Sequence, residues 1–194
     1  MCVRRTLRRR GLLALVITLL LAGCSTSPVY SPNRPPEHVA GDACKLNRYD
    51  RTFLDAARKA ERRWGVPAHV LLAFVHKESR FAATARSASG AYGYPQAKDG
   101  TWREYQKATG RWDASREDIY DALDFIGWYN YVSHKRLGIS RWDAYRLYLA
   151  YHEGRGGYQR RTYERRPWVK RLARKVADTA WRYRQQMKRC GLAR

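Results

Sequence analysis

Residues 71–96 read LLAFVHKESRFAATARSASGAYGYPQ, which combines a helical pattern with a glycine-rich segment. Positions i, i+3, i+4 and i+7 of one helical face are occupied by Leu71, Phe74, Val75 and Glu78. Glu78 therefore continues an apolar stripe, and burial disfavours the ionised form of a carboxyl group. A carboxylic acid that keeps its proton near neutral pH is suited to general acid catalysis. The alternatives are a buried glutamate that backbone donors satisfy, or a residue at a helix end that reaches water.

Four spaced blocks in the chain follow a known family pattern. They are Glu78-Ser79-Arg80-Phe81, Ala85-Arg86-Ser87, Gly90-Ala91-Tyr92-Gly93-Tyr94-Pro95-Gln96 and Ala150-Tyr151-His152-Glu153-Gly154. In these blocks, and over about Tyr49 to the C-terminus, the chain resembles the Slt-type lytic transglycosylases of glycoside hydrolase family 23, in the lysozyme-like superfamily. Several blocks together are far more specific than any one of them. The chain departs from the family at Tyr94-Pro95, where the family has Leu-Met, and at His152-Glu153, where it has Asn-Ala.

The resemblance implies an enzyme that cleaves the β-1,4 bond between N-acetylmuramic acid and N-acetylglucosamine in peptidoglycan. Most glycosidases use two carboxylates, whereas the family pattern supplies only Glu78 here. In the family's chemistry the acid protonates the glycosidic oxygen while the N-acetyl group of the sugar stabilises the cationic centre. The same residue then deprotonates the C6 hydroxyl, which closes a 1,6-anhydro ring. The resemblance implies no metal and no organic cofactor.

The family blocks also imply residues that bind the substrate. Ser87 is expected to hydrogen-bond the N-acetyl or peptide groups, and Gln96 to orient the sugar through its amide. Gly93 would let the backbone approach the glycan, and Tyr94 follows it where the family has leucine. The alternative is a structural role for each, with Ser87 as a turn cap and the glycine as an ordinary turn residue.

Three further contacts near the expected site are predicted. Tyr151 is expected to stack on a sugar or to hydrogen-bond near Glu78, with a core aromatic as the alternative. His152 is expected to bond the N-acetyl group in place of the family's asparagine, with a surface histidine as the alternative. The tyrosine that contacts the acid in family members corresponds here to Trp168 or to Tyr163.

A hydrolytic variant would need a second acid near the site. The candidates for that acid are Glu153, Asp99 and Glu104, although a solvated surface role is expected for each. His69 and His76 lie seven residues apart on one helical face, but without an HExxH pattern or a nearby cysteine pair they are expected to be solvated or core histidines.

The N-terminus is typical of an export signal. Residues 1–23 have an arginine-rich head and an apolar run, residues 11–22, that is too short for a comfortable membrane span. The run ends in Leu21-Ala22-Gly23-Cys24, which resembles the bacterial lipobox and implies cleavage before Cys24 and lipid on that residue. We expect a lipid-anchored outer-membrane protein that faces the periplasm. The alternatives are an uncleaved anchor and a coincidental cysteine.

The remaining chain is predicted to form one helical domain. Residues 24–43 are predicted as a lipidated N-terminus with a proline-rich, extended tether, and residues 44–194 as the catalytic domain. No alternating strand pattern appears, which predicts an all-α, lysozyme-like domain with a glycine-rich irregular segment and at most a small β element. Cys44 and Cys190 flank this domain and are predicted to form a disulfide, with two unpaired thiols as the alternative.

The chain has a formal net charge of +22, concentrated near the C-terminal helix. Such a basic, aromatic-rich segment would by itself suggest nucleic acid, but a lipid-anchored exported protein is not expected to meet nucleic acid. The expected partners are peptidoglycan glycan strands, with anionic wall peptides or lipid headgroups on the basic face. A solvated basic face is the plain alternative.

Three functions therefore remain open at this stage. The first is a peptidoglycan lytic transglycosylase. The second is a hydrolytic muramidase on the same fold, which a second carboxylate at the site would favour. The third is a non-catalytic peptidoglycan-binding lipoprotein, against which the presence of Glu78 within its flanking blocks argues.

Overall fold

The computed structural model describes residues 34–192 as a helical domain. Its elements, in chain order, are α1 (Glu37–Ala40), α2 (Ala43–Tyr49), α3 (Thr52–Trp64), α4 (Ala68–Ser79), α5 (Asp99–Thr109), α6 (Ile119–Leu137), α7 (Ala144–Gln159), a 3-10 turn (Thr162–Arg165) and α8 (Pro167–Arg189). The predicted all-α fold is confirmed. The small β element of the glycine-rich segment, residues 82–98 between α4 and α5, consists of two isolated bridges, from Tyr92 to Arg86 and to Ala97.

Helix α4 is the central element of the core. It packs against α3, α6 and α8, and every residue from Val70 to Val75 is buried. Full burial of a side chain such as Leu71 or Phe74 contributes about 1.5–3 kcal/mol each. Because α4 is enclosed on several sides, the position of its last turn is strongly determined by the fold. That last turn carries Glu78.

The first turns of two helices are capped by aspartate side chains. Asp118 accepts from the backbone N–H of Tyr120 at 2.8 Å at the start of α6. Asp143 accepts from the backbone N–H of Arg146 at 3.0 Å at the start of α7. Each cap satisfies a backbone donor that the first turn leaves without a partner.

A buried carboxylate joins three of the helices. Asp124, on α6, is 5% exposed. It accepts hydrogen bonds from Trp64 Nε1 at 2.9 Å, from the Tyr105 hydroxyl at 2.8 Å and from Arg63 at 2.9 Å. Because these donors belong to α3 and α5, the interaction holds both helices against α6 and satisfies a charge that would otherwise be costly to bury.

The boundary between tether and domain lies earlier than predicted at Cys44. Residues from Arg34 onwards are packed on the domain: Ala40 is fully buried, and its carbonyl accepts a hydrogen bond from the Tyr183 hydroxyl. Glu37 lies 3.1 Å from His76 Nε2. The proline-rich composition indicated an extended tether, but these contacts with α4 and α8 order the segment. The predicted signal peptide, Cys24 and residues 24–33 lie outside the described residues.

The N-terminal segment is also tied to the last helix covalently. The structure contains the predicted disulfide between Cys44 and Cys190, which are separated by 146 positions in the sequence. Beside it, the backbone N–H of Ala43 donates to Gln186 Oε1 at 2.9 Å. The disulfide therefore closes almost the whole domain into one loop. Within the part of the chain that the structure describes, no helix is both long enough and apolar enough to cross a membrane.

Candidate active site

A groove of about 550 Å³ lies between the glycine-rich segment and the core helices. Residues of α4, α5, α6, α7 and α8 line it together with that segment. The lining residues that matter below are Lys77, Glu78, Ser87, Gln96, Lys98, Phe125, Tyr129, Tyr148, Tyr151, His152, Glu153 and Gly154. Four predicted substrate-binding residues, Ser87, Gln96, Tyr151 and His152, therefore share one groove with Glu78.

Glu78 is partly buried at the end of α4. Its burial raises the pKa of the carboxyl to about 7, because an apolar environment penalises the charged form. A hydrogen bond from the Tyr148 hydroxyl and the positive charge of Lys77 both act in the opposite direction. The result is a carboxyl group that holds and releases a proton near neutral pH, as a general acid and base requires.

Tyr148 is the hydrogen-bond partner of the acid, and it was not among the residues predicted from the sequence. It lies on α7, where burial and the neighbouring Glu78 raise the pKa of its hydroxyl well above the usual value, so the phenol stays protonated and donates. The contact was predicted at Trp168 or Tyr163. Trp168 is instead 47% exposed and packs against His152, and Tyr163 lies against Tyr158. The available signal was helical spacing, because Tyr148 lies three positions before Tyr151.

A kink interrupts α7 at Gly154, the last residue of this helix that lines the groove. Gly154 has φ of 73° and ψ of 158°, which interrupts the helix between Glu153 and the following turn. This region of backbone space is essentially restricted to glycine. Gly154 corresponds to the glycine that ends the fourth family block, so the block encodes the change of direction that follows Tyr151 and His152.

Ser87 and Gln96 both line the groove while also holding the glycine-rich segment together. The Ser87 hydroxyl accepts from the backbone N–H of Ala91 at 2.9 Å. The Gln96 side-chain amide donates to the carbonyls of Ala85 at 2.8 Å and Gly93 at 3.0 Å. The amide hydrogens of Gln96 are therefore bonded to backbone carbonyls of the loop. Ser87 caps a turn, as the structural alternative predicted, and it also lines the groove.

Gly93 and Tyr94 do not line the groove, contrary to the sequence prediction. The Tyr94 side chain is 7% exposed and lies edge-on to Phe53 in the core. A Cβ on Gly93 would lie 2.3 Å from the carbonyl oxygen of Arg116, and its φ is 75°. The glycine is required for close packing against the Arg116 backbone, and the tyrosine anchors the loop on α3.

Tyr151 forms part of the aromatic wall of the groove. Its ring lies 5.1 Å from Tyr129 and 5.3 Å from Phe74, both edge-on, and its hydroxyl donates to the Pro95 carbonyl at 2.6 Å. The hydroxyl therefore fixes the glycine-rich segment against α7, while the ring faces the groove beside Phe125. Tyrosine and phenylalanine rings, rather than tryptophans, line the groove.

The three candidate second acids have different environments. Asp99 has a 73% exposed side chain, 2.7 Å from Arg116, and Glu104 is exposed. The surface role expected for Glu153 is wrong, because its side chain is only 2% exposed and lies in the groove lining. Glu153 is enclosed by Thr162 and Arg166, which belong to the segment that follows the kink at Gly154.

Lys77 and Lys98 also line the groove and were not predicted. Both place positive charge in the groove, and the charge of Lys77 acts on the carboxyl of Glu78. No group of three or more histidine, cysteine, aspartate or glutamate side chains within residues 34–192 is arranged to hold a metal ion. His76 instead lies 3.0 Å from the Tyr183 hydroxyl and 3.1 Å from Glu37.

Comparison with known proteins gives one match to a family. The sequence profile described as the transglycosylase SLT domain matches residues 12–190. No curated protein matches the chain. Among solved structures, the X-ray structure of an inactive mutant of the lytic transglycosylase Slt from Pseudomonas aeruginosa is similar, with a TM-score of 0.48 and 12% sequence identity. The similarity covers 78% of this chain and 28% of that chain, so this chain spans less than a third of its length.

Proposed function

Because the chain belongs to the transglycosylase SLT domain family, we propose that it is a peptidoglycan lytic transglycosylase with Glu78 as the acid. The proposed reaction cleaves the β-1,4 bond between N-acetylmuramic acid and N-acetylglucosamine and forms 1,6-anhydromuropeptides. The observation that carries this proposal is the environment of Glu78: a partly buried carboxyl in a groove, with its pKa raised to about 7.

In the first step, protonated Glu78 gives its proton to the glycosidic oxygen as the bond from that oxygen to C1 breaks. The leaving sugar departs with a hydroxyl group, and the carbonyl oxygen of the neighbouring N-acetyl group stabilises the positive charge at C1. The Tyr148 hydroxyl then donates to the carboxylate that remains. That hydrogen bond stabilises the ionised form of Glu78 between the first and the second step.

In the second step, the Glu78 carboxylate takes the proton of the C6 hydroxyl, whose oxygen attacks C1 and closes the 1,6-anhydro ring. The acid is thereby protonated again for the next cycle. Each half of the reaction uses one of the two protonation states, and a pKa of about 7 keeps both accessible near neutral pH.

The groove offers contacts suited to a glycan with charged peptides. The rings of Tyr151 and Tyr129 provide an aromatic wall for sugar faces, and Ser87 and Gln96 provide polar groups at its edge. Lys77 and Lys98 would attract the carboxylates of the peptides that the glycan carries. These assignments support a peptidoglycan strand as the substrate.

A hydrolytic muramidase is a second candidate, because the Glu153 carboxylate lines the same groove as Glu78. In that reaction a water molecule, rather than the C6 hydroxyl, would attack C1. The two candidates differ in their products, since an anhydro end has one water less than a reducing end. The bonds that already occupy Glu153, to Thr162, His152 and Arg166, favour the first candidate.

The test is a digestion of purified peptidoglycan by the wild type and by Glu78→Gln, with Glu104→Gln as the matched control at an exposed position. We expect anhydromuropeptides in the mass spectrum from the wild type and the control, and binding without cleavage by Glu78→Gln. Reducing-end products would support the muramidase. Full cleavage by Glu78→Gln would refute both.

We also propose that residues 1–23 are removed on export and that Cys24 carries the lipid that anchors the protein at the outer membrane. The lipobox-like end of the apolar run supports this. Mass spectrometry of the protein purified from membranes is expected to find a chain beginning at acylated Cys24. A full-length chain or an unmodified Cys24 would contradict the proposal.

A further inference from the structure

Glu153 is a buried carboxylate whose oxygens are both occupied. Its Oε2 accepts a hydrogen bond from the Thr162 hydroxyl, and its Oε1 lies 3.2 Å from both Arg166 and His152 Nδ1. Burial opposes ionisation, but the hydrogen bonds from Thr162 and His152 and the charge of Arg166 outweigh it and keep the pKa below its usual value. The side chain therefore stays charged and is not available as a general acid.

The charged Glu153 determines how His152 is protonated. A carboxylate without a proton can only accept, so the imidazole nitrogen that faces it, Nδ1, must carry the hydrogen. In neutral imidazole the other nitrogen, Nε2, is then an acceptor. Nε2 makes no hydrogen bond with any residue from 34 to 192, and the His152 side chain is 27% exposed.

His152 lies close to the acid as well as to the groove. Its ring is 6.2 Å from that of Tyr148, which donates to Glu78, and 5.1 Å from that of Trp168. Tyr148 and His152 are separated by one helical turn of α7, so they share a face. Thr162 and Arg166 brace Glu153 from the segment that follows the kink.

We propose that Glu153 is a positioning residue that fixes the tautomer and orientation of His152, so that Nε2 accepts a hydrogen bond from an N–H or O–H group of the glycan. The asparagine of the family pattern has an amide that donates and accepts, whereas neutral His152 held in this way only accepts. The subsite therefore selects a donor group on the substrate, such as an acetamido N–H or a sugar hydroxyl. This inference rests on the proposed function.

The first test measures the tautomer of the His152 ring directly, in the absence of substrate. In the full chain, ¹⁵N NMR of the His152 ring at a pH where the ring is neutral is expected to show hydrogen on Nδ1 and a lone pair on Nε2. Glu153→Ala should convert this into a mixture or reverse it, and the control Glu164→Ala, at a neighbouring exposed carboxylate, should change nothing. A wild-type ring protonated on Nε2, or a tautomer unaffected by Glu153→Ala, would overturn the proposal.

The second test is a double-mutant cycle on cleavage of soluble glycan strands. Glu153→Ala is expected to raise KM about threefold to tenfold, the value of one positioned hydrogen bond, with a smaller effect on kcat. In a His152→Asn background, whose amide needs no carboxylate, Glu153→Ala should change KM little. Equal losses in both backgrounds would mean that Glu153 only braces the fold, and would overturn the proposal.

The two tests separate the failure of this inference from the failure of the proposed function. If the wild type does not cleave glycan strands, the proposed function fails, while the NMR result still reports whether Glu153 sets the tautomer of His152. If urea denaturation shows that Glu153→Ala does not fold, Glu153→Met replaces it, because methionine keeps the length of the side chain without a carboxylate or amide oxygen to accept from Nδ1. The same two readouts then apply.

Discussion

Replacing Glu78 by glutamine should stabilise the protein at neutral and alkaline pH. The pKa of Glu78 is about 7 in the folded protein, whereas the ordinary value for a glutamate, which we take for the unfolded chain, is 4.5. A carboxyl whose pKa is raised by folding binds its proton more tightly in the folded state. Its stabilising contribution is therefore fully present below pH 4.5 and is lost as the pH rises to 7.

The size of this loss follows from the shift. One pKa unit corresponds to about 1.4 kcal/mol, so the wild type should lose at most roughly 3 kcal/mol of unfolding free energy between pH 4.5 and 7 through this group. Glutamine has nearly the same shape and does not titrate. The difference in unfolding free energy between Glu78→Gln and the wild type should therefore increase by that amount across the interval and remain constant above it.

Urea denaturation of both proteins at several pH values from 4 to 8.5 measures this difference. Other groups titrate equally in the two proteins, so their contributions cancel. Glu104→Gln is the matched control and should show no pH-dependent difference, because Glu104 is exposed. A difference for Glu78→Gln that stays constant across the range would refute the claim that Glu78 retains its proton in the fold.

Three further changes have expected outcomes. Tyr148→Phe removes a hydrogen bond to the carboxylate worth about 1.5–3 kcal/mol, so the high-pH limb of the activity profile should move up by about one to two pH units; an unmoved limb would contradict the contact. Replacing Cys44 and Cys190 by alanine should lower the unfolding free energy in urea by about 4–5 kcal/mol, and an unchanged value would count against the disulfide. Gly93→Ala should lower the urea midpoint more than Gly90→Ala, because a Cβ meets the Arg116 carbonyl at 2.3 Å only at the first position; equal losses would contradict the close approach.

The features that depend on local pattern were predictable from the sequence. Helical spacing on α4 was enough to place Glu78 on a buried face, and the spaced blocks were enough to indicate the family. These predictions succeed because the physical causes, periodicity and backbone restriction, act within a few residues.

The features that depend on long-range packing were not predictable in this way. Tyr148 meets Glu78 only because α4 and α7 pack around the same groove, and no spacing between them encodes that distance. Tyr94 was predicted to line the groove because of its position in a family block, but its aromatic ring is buried in the core beside Phe53. Residues from Arg34 to Ala43 have the composition of a tether, and they become ordered only through contacts with α4 and α8.

Glu153 was misplaced for a related reason. A glutamate near a helix end is usually solvated, and the sequence does not reveal that Thr162 and Arg166 return to enclose it. The kink at Gly154 changes the direction of the chain after Glu153, and a glycine in this position was the signal for it. Where the redirected chain packs depends on the other helices.

The central claim is that the groove holds a carboxyl group that keeps its proton until the pH is near neutral. Its most direct measurement is a ¹³C NMR titration of the Glu78 side chain in the full chain, with the signal assigned by its loss in Glu78→Gln. The account predicts a midpoint near pH 7. A midpoint at the ordinary value of 4.5 would contradict it.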